Sequence, residues 1–147
     1  MAEKNEPLEK RIGYVAHPVG GDVPGNIDAI LGILGEIRFN EEEKEEWKNL
    51  LPIAPYIVPI LYLDDEVPEQ RKMGMEENQY YFKRGFIDVL ILAGPVISSG
   101  MYGEIEEVVE YNRQSQEHKI DIICHTRELQ PELDRILDEI EKNYEGV

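Results

Sequence analysis

Apolar residues along the chain alternate between short unbroken runs and stripes of helical spacing. Arg11-Ile12-Gly13-Tyr14-Val15-Ala16 is a short apolar run and predicts a buried strand. After the loop-like His17 to Gly25, the residues Ile27, Ile30, Leu31, Leu34 and Ile37 fall on one helical stripe, with Asn26 as its predicted cap. A second helix start is predicted at Asn40, with Glu43 three residues on and Trp47 and Leu50 on its apolar side. Its acidic run reads most simply as a solvated face. Pro52 to Pro59 is apolar but holds three prolines, which predicts a short strand leading into a loop and not a long central strand.

Leu63 to Pro68 reads as a turn. Pro68 can open a helix from Glu69 to Arg84, with Met75, Asn78 and Phe82 on one side. Phe86 to Leu92 is the best strand candidate. The small-residue segment Ile97-Ser98-Ser99-Gly100 follows it and leads into a predicted helix from Met101 to Arg113. Ile120 to Cys124 is a further strand. Leu133, Ile136, Leu137, Ile140 and Tyr144 mark a last amphipathic helix, with Gly146 just beyond.

Four strands alternating with helices predict a parallel sheet flanked by helices. In such folds ligands sit outside the carboxyl ends of the strands. Three loops are expected to converge there: His17 to Gly25, Val58 to Asp65, and Ala93 to Tyr102. The 147 residues are one domain's worth, from residue 11 to 147, preceded by a polar, flexible segment 1–10.

Charge narrows the partners. With 31 acidic and 15 basic residues the net charge is −16, which argues against a nucleic-acid polymer or an anionic membrane surface. A free nucleoside or nucleotide needs only a local pocket. No apolar run approaches the ~18–20 residues of a membrane span. The one cysteine, Cys124, lies in an apolar run and reads as a core residue. With His17, His118 and His125 far apart, no zinc spacing arises. The expectation is a cytoplasmic protein with no cofactor and no metal.

The segment from Ile97 to Ile105 carries the chemistry. A strand, a small-residue loop and a helix start favour an anion through backbone N–H groups and the helix dipole, and a carboxylate held there is expected to stay ionised. Glu104 is the only glutamate of this helix at the border of the buried stripe of Met101, Ile105, Val108, Val109 and Asn112. It is either a site residue or simply a first-turn acid favoured by the dipole; a capping box would need Ser or Thr at position 101. Asp88 inside an apolar strand is either paired or at a solvated strand edge. Ser98 and Ser99 are candidates for phosphate contact or for capping. His17 faces the expected crevice, or is structural. The Gly20-Gly21 loop lacks dinucleotide and triphosphate patterns.

Taken in order, Tyr14-Val15-Ala16-His17-Pro18 with Gly20-Gly21-Asp22, Pro52 to Tyr56, Leu63-Asp64-Asp65 with Pro68 to Arg71 and Gly74-Met75, Asp88 to Ile91, and Ser99-Gly100-Met101 with Glu104-Ile105 resemble the nucleoside 2-deoxyribosyltransferase-like superfamily, and most closely its small phage and bacterial members. The resemblance spans about Arg11 to Thr126. It implies an α/β, Rossmann-like (flavodoxin-like) three-layer sandwich with a four- to five-stranded parallel sheet, usually assembled as a homo-oligomer. It also implies cleavage or transfer at the N-glycosidic bond of a (deoxy)nucleoside or its 5′-monophosphate. Glu104 matches the nucleophile that attacks C1′, and Asp88 the aspartate that binds or protonates the leaving base, with Asp64 or Asp65 in reserve for that role. Ser98, Ser99, Gly100 and Met101 match the sugar or phosphate loop. Tyr14, His17, Gly20 and Gly21 match the first-strand segment of the pocket.

This sequence departs from the pattern at His17, where relatives commonly carry a small residue, so the sugar pocket is narrowed. The stretch from Phe39 to Leu50 is longer than in the small relatives. The alternative on the same fold is a non-catalytic module that binds a nucleotide or a nucleotide-derived signal. The two readings are separated by whether the carboxyls of Glu104 and Asp88 share one cavity within about 5–8 Å.

Overall fold

The computed structural model describes residues 10–40, 44–115 and 117–146. Strands β1 (Arg11–Ala16), β2 (Leu50–Ile53), β3 (Val89–Leu92) and β4 (Asp121–Cys124) form one all-parallel sheet in the order β2-β1-β3-β4. Helices α1 (Val23–Phe39), α2 (Ile57–Tyr62), α3 (Pro68–Lys83), α4 (Ser99–Gln114) and α5 (Gln130–Glu145) connect and flank it. Short 3₁₀ turns cover Glu45–Trp47 and Arg127–Leu129. The result is the expected three-layer, Rossmann-like α/β architecture. No helix among the described residues is long and apolar enough to cross a membrane.

The central strands β1 and β3 are paired on both sides and lie beneath helices, so they bury both faces and read as continuous apolar runs. Val89, Leu90, Ile91 and Leu92 are all buried. Alternation then divides the core. Tyr14, Ala16, Leu90 and Leu92 point to the layer of α3, α4 and α5, where they meet Phe82, Met101, Ile105, Val108, Leu133 and Ile136. Val15, Val89, Ile91 and Ala93 point the other way, to Ile37 of α1 and to Trp47.

Several element limits differ from the sequence reading for local reasons. Asp22, not Asn26, caps α1: its carboxylate accepts from Gly25 N at 3.1 Å. Asn26 instead donates to Val19 O and Gly20 O, both at 3.0 Å, and pins the loop after β1. The expected helix from Asn40 is a single 3₁₀ turn, while Trp47 and Leu50 are both buried as anticipated; Glu43 lies outside the described residues, as does most of the segment 1–10.

Proline 52 is tolerated because β2 is an edge strand. The expected loop after it is α2, with Pro59 in its first turn, where no intrahelical N–H is needed. Strand β3 begins only at Val89, because Ile87 is buried but unpaired in the sheet and Phe86 packs edge-on against Tyr81 at 5.8 Å.

Candidate functional site

A cleft of about 660 Å³ opens at the carboxyl ends of β1 and β3. All three expected loops reach it: His17 to Gly20 after β1, Tyr56 to Asp65 around α2, and Ser98 to Glu104 at the start of α4. Helix α3 closes the remaining side with Arg71, Gly74, Met75 and Asn78.

Glu104 is the carboxylate built most firmly into this cleft. Helix α4 starts two residues earlier than the spacing suggested, because Ser98 is its cap: Ser98 Oγ accepts from Met101 N at 3.3 Å, and Ser98 N points at Met101 Sδ at 3.4 Å. Glu104 therefore stands in the second turn, and the first turn carries no acid. The dipole effect fades within the first turn, so it no longer governs this group.

Burial governs it instead. Desolvation pushes the Glu104 carboxyl up to about 7, and the hydrogen bond from Tyr14 opposes this only in part. This corrects the expectation of a fully ionised helix-start carboxylate. Tyr14 Oη donates to Glu104 Oε2 at 2.5 Å. Among the described residues Oε1 has no partner, and no buried side-chain oxygen or nitrogen lacks one, so Oε1 faces the open cleft.

Behind Glu104 the support is aromatic. The Tyr14 ring lies 4.9 Å from Phe82 and 5.6 Å from Tyr56. Tyr56 Oη donates to Val15 O at 2.6 Å, so the β1 backbone holds the second ring in place. Burial and the nearby Glu104 carboxylate push both phenols upward, which keeps them as neutral donors.

Of the residues expected from sequence, His17, Gly20, Asp65, Ser98, Ser99, Gly100, Met101 and Glu104 border the cleft, and Tyr14 stands directly behind it. Three do not border it. Gly21 is the left-handed turn residue beyond, with φ 85°. Asp64 is exposed and caps its own turn, accepting from Glu66 N at 2.9 Å. Asp88 is the important correction. It precedes β3 and so lies at the amino end of the sheet, four residues and about 13 Å of extended chain from the carboxyl end.

There Asp88 Oδ2 accepts from Ile12 N and Oδ1 contacts His118 Nε2, both at 2.8 Å, while His118 Nδ1 meets Tyr111 Oη at 2.8 Å. This is a staple joining β1, β3 and the end of α4. Asp88 and Glu104 are not brought into one cavity.

The sequence reading assigned no role to Tyr56, Arg71 or Asn78, which also line the cleft. Arg71 looks like the solvated face of α3, while Asn78 shares the side of Met75 and Phe82. The signal that could have found them is position: both follow the turn that had already been placed at the crevice. Arg71 is the one Lys or Arg among the described lining residues. Together with the capped start of α4 it supplies positive potential to a cleft that otherwise holds Glu104 and Asp65. Among the described residues no three His, Cys, Asp or Glu side chains group as metal ligands.

Residues 11–118 match the family model described as a domain of unknown function, DUF7768, and the chain belongs to that family. No curated protein and no solved structure matches the chain.

Proposed function

We propose that this DUF7768 protein binds a (deoxy)nucleoside or nucleoside 5′-monophosphate in the cleft and cleaves or transfers at its N-glycosidic bond, with Glu104 as nucleophile. The observation that carries the reading is the state of Glu104. One oxygen is held by Tyr14, the other is open to a cavity of nucleotide size, and the carboxyl titrates near neutrality. Such a group can face a cationic C1′ at little reorganisation cost and trap the sugar covalently.

The residues divide by role. Glu104 Oε1 attacks C1′, and Tyr14 fixes the carboxylate's orientation. Asp65 takes over the contact to the base that Asp88 was expected to make, because it borders the cleft and Asp88 does not. Ser98, Ser99 and Gly100 form the sugar or phosphate loop, and Arg71 supplies the counter-charge for a phosphate. A cytoplasmic setting belongs to the same reading and is supported by the free thiol of Cys124. A homo-oligomer does too, supported by the exposed Val58, Leu61 and Tyr62 of α2 beside the cleft.

A second reading has an observation in its favour. Asp88, the acid expected opposite Glu104, is tied to Ile12 N and His118 away from the cleft, which suits a module that holds a nucleotide without cleaving it. The test is a panel of deoxynucleosides and their 5′-monophosphates, with base release followed by chromatography for the wild type and Glu104→Ala. Release by the wild type that vanishes in the variant supports the enzyme. Ligand binding with no release from any substrate turns the reading to the binding module.

A further inference from the structure

His17 carries more than a lining role. It is 7% exposed, and it is the one buried histidine among the described residues. Its ring is fixed by a single contact, Nδ1 to Pro18 O at 2.7 Å. A carbonyl oxygen only accepts, so Nδ1 carries a hydrogen and Nε2 is the nitrogen left for a second partner. Among the described residues Nε2 has no hydrogen-bond partner, yet no fully buried side-chain nitrogen lacks one; Nε2 is therefore not sealed from solvent, and the ring borders the cleft.

The ring is also seated deliberately. Gly94, directly beyond β3, has φ 96°, and a Cβ there would lie 2.7 Å from Pro18 Cδ and 3.1 Å from His17 Nε2. A side chain at position 94 would be both strained and in collision with the His17–Pro18 pair. Two strand ends thus cooperate to hold one imidazole at the border of Glu104's cleft.

We infer that His17 is the proton-transfer residue of this site, and that it directs the reaction to hydrolysis. The inference rests on the reading of Glu104 as nucleophile. In the first step Glu104 Oε1 bonds to C1′, the C1′–N bond breaks with its electron pair leaving on the base, and Nε2–H of the His17 imidazolium protonates the departing nitrogen. In the second step the neutral Nε2 takes a proton from water as the water oxygen bonds to C1′. The C1′–O bond to Glu104 then breaks, the carboxylate is restored and the imidazolium is regenerated. One water is consumed for each base released. One residue alternating as acid and base is the economy that retaining glycosidases use.

The test compares wild type, His17→Asn and Glu104→Gln on 2′-deoxynucleosides, their 5′-monophosphates and a 4-nitrophenyl 2-deoxyriboside, whose leaving group needs no proton. With folding checked by circular dichroism, His17→Asn is expected to keep nucleoside binding but lose about 10²-fold or more in base release. On the nitrophenyl glycoside the first step recovers and a sugar adduct on Glu104 accumulates in intact-mass spectra. A merely structural histidine would show neither the leaving-group rescue nor the adduct.

Should the variant fail to fold, ¹⁵N-histidine spectra of the wild type decide. The His17 Nε2 signal is expected to move on saturation with 2-deoxyribose while those of His118 and His125 stay, and an unmoved Nε2 overturns the inference. Release abolished in Glu104→Gln but unchanged in His17→Asn overturns this inference alone. No release and no adduct from the wild type overturns the Glu104 reading and this one with it.

Discussion

Tyr14 and Glu104 are 90 residues apart in the chain and meet in a hydrogen bond from Tyr14 Oη to Glu104 Oε2. One comes from the central strand and the other from the second turn of α4, so the bond forms only when sheet and helix layer are correctly docked. It leaves a single carboxylate oxygen for a ligand.

Removing that donor gives the first prediction. In Tyr14→Phe the ionised form of Glu104 loses its hydrogen bond while burial persists, so the carboxyl should titrate above its present value of about 7. Carboxyl-carbon NMR of the Glu104 resonance across pH 5–9 reads this directly. A downward shift would mean that the phenol does not stabilise the anion. Loss of the bond should also destabilise the fold by roughly 1–3 kcal/mol.

Glu104 itself should weaken the fold at higher pH. Its folded-state carboxyl is raised from 4.5 to about 7, so in that window the folded state binds more protons than the unfolded state. Its contribution to stability is fully present below about 4.5 and is lost as pH rises to about 7, by at most about 3 kcal/mol. Glu104→Gln should therefore be more stable than wild type at pH 8 and lose this dependence. Urea midpoints at pH 4.5 and pH 8 test it; a variant no more stable at pH 8 contradicts the burial cost.

Asp88 should matter to stability and not to the cleft. Asp88→Ala leaves Ile12 N and His118 without their acceptor, at a cost of roughly 1–3 kcal/mol. Ligand affinity per folded molecule should stay at the wild-type level in calorimetry. A selective loss of affinity at unchanged melting temperature would restore Asp88 to the site.

Arg71 separates nucleotides from nucleosides. It is exposed, so Arg71→Ala should leave stability within about 0.5 kcal/mol. Affinity for a nucleoside 5′-monophosphate should fall by about tenfold, and affinity for the parent nucleoside should hold. Equal losses for both ligands would remove the phosphate from the argument.

Legibility in the sequence followed how local each cause is. The unbroken run Val89 to Leu92 needed no context to read as a buried strand, and the stripe of Met101, Ile105 and Val108 put Glu104 at the edge of the core. Asp88 was misplaced because Phe86 and Ile87 are apolar too. They extend the apparent strand by three residues, although Ile87 is buried beside the sheet and not within it. The start of α4 was obscured because its cap pairs Ser98 with a methionine sulfur where a glutamate would be the usual signal. Arg71 was invisible for another reason: a polar residue facing a cleft and one facing bulk water leave the same pattern. The open Nε2 of His17 depends on Pro18 O and Gly94, a contact between two loops that no spacing rule anticipates.

The strand order also sets a schedule. Strand β1 is central, but its inner partner β3 is encoded much later: Asp88, which accepts from Ile12 N, lies 76 residues downstream. During synthesis at about 5–20 residues per second, β1 waits roughly 4–15 seconds before that neighbour exists. Through this interval the edge strand β2 is the one neighbour that β1 can gain, and its register reaches Arg11 to Tyr14 but not Val15 or Ala16. The Tyr14–Glu104 contact comes later still, so the binding cleft gains its central carboxylate only after β3 is in place, with β4 and α5 still to follow.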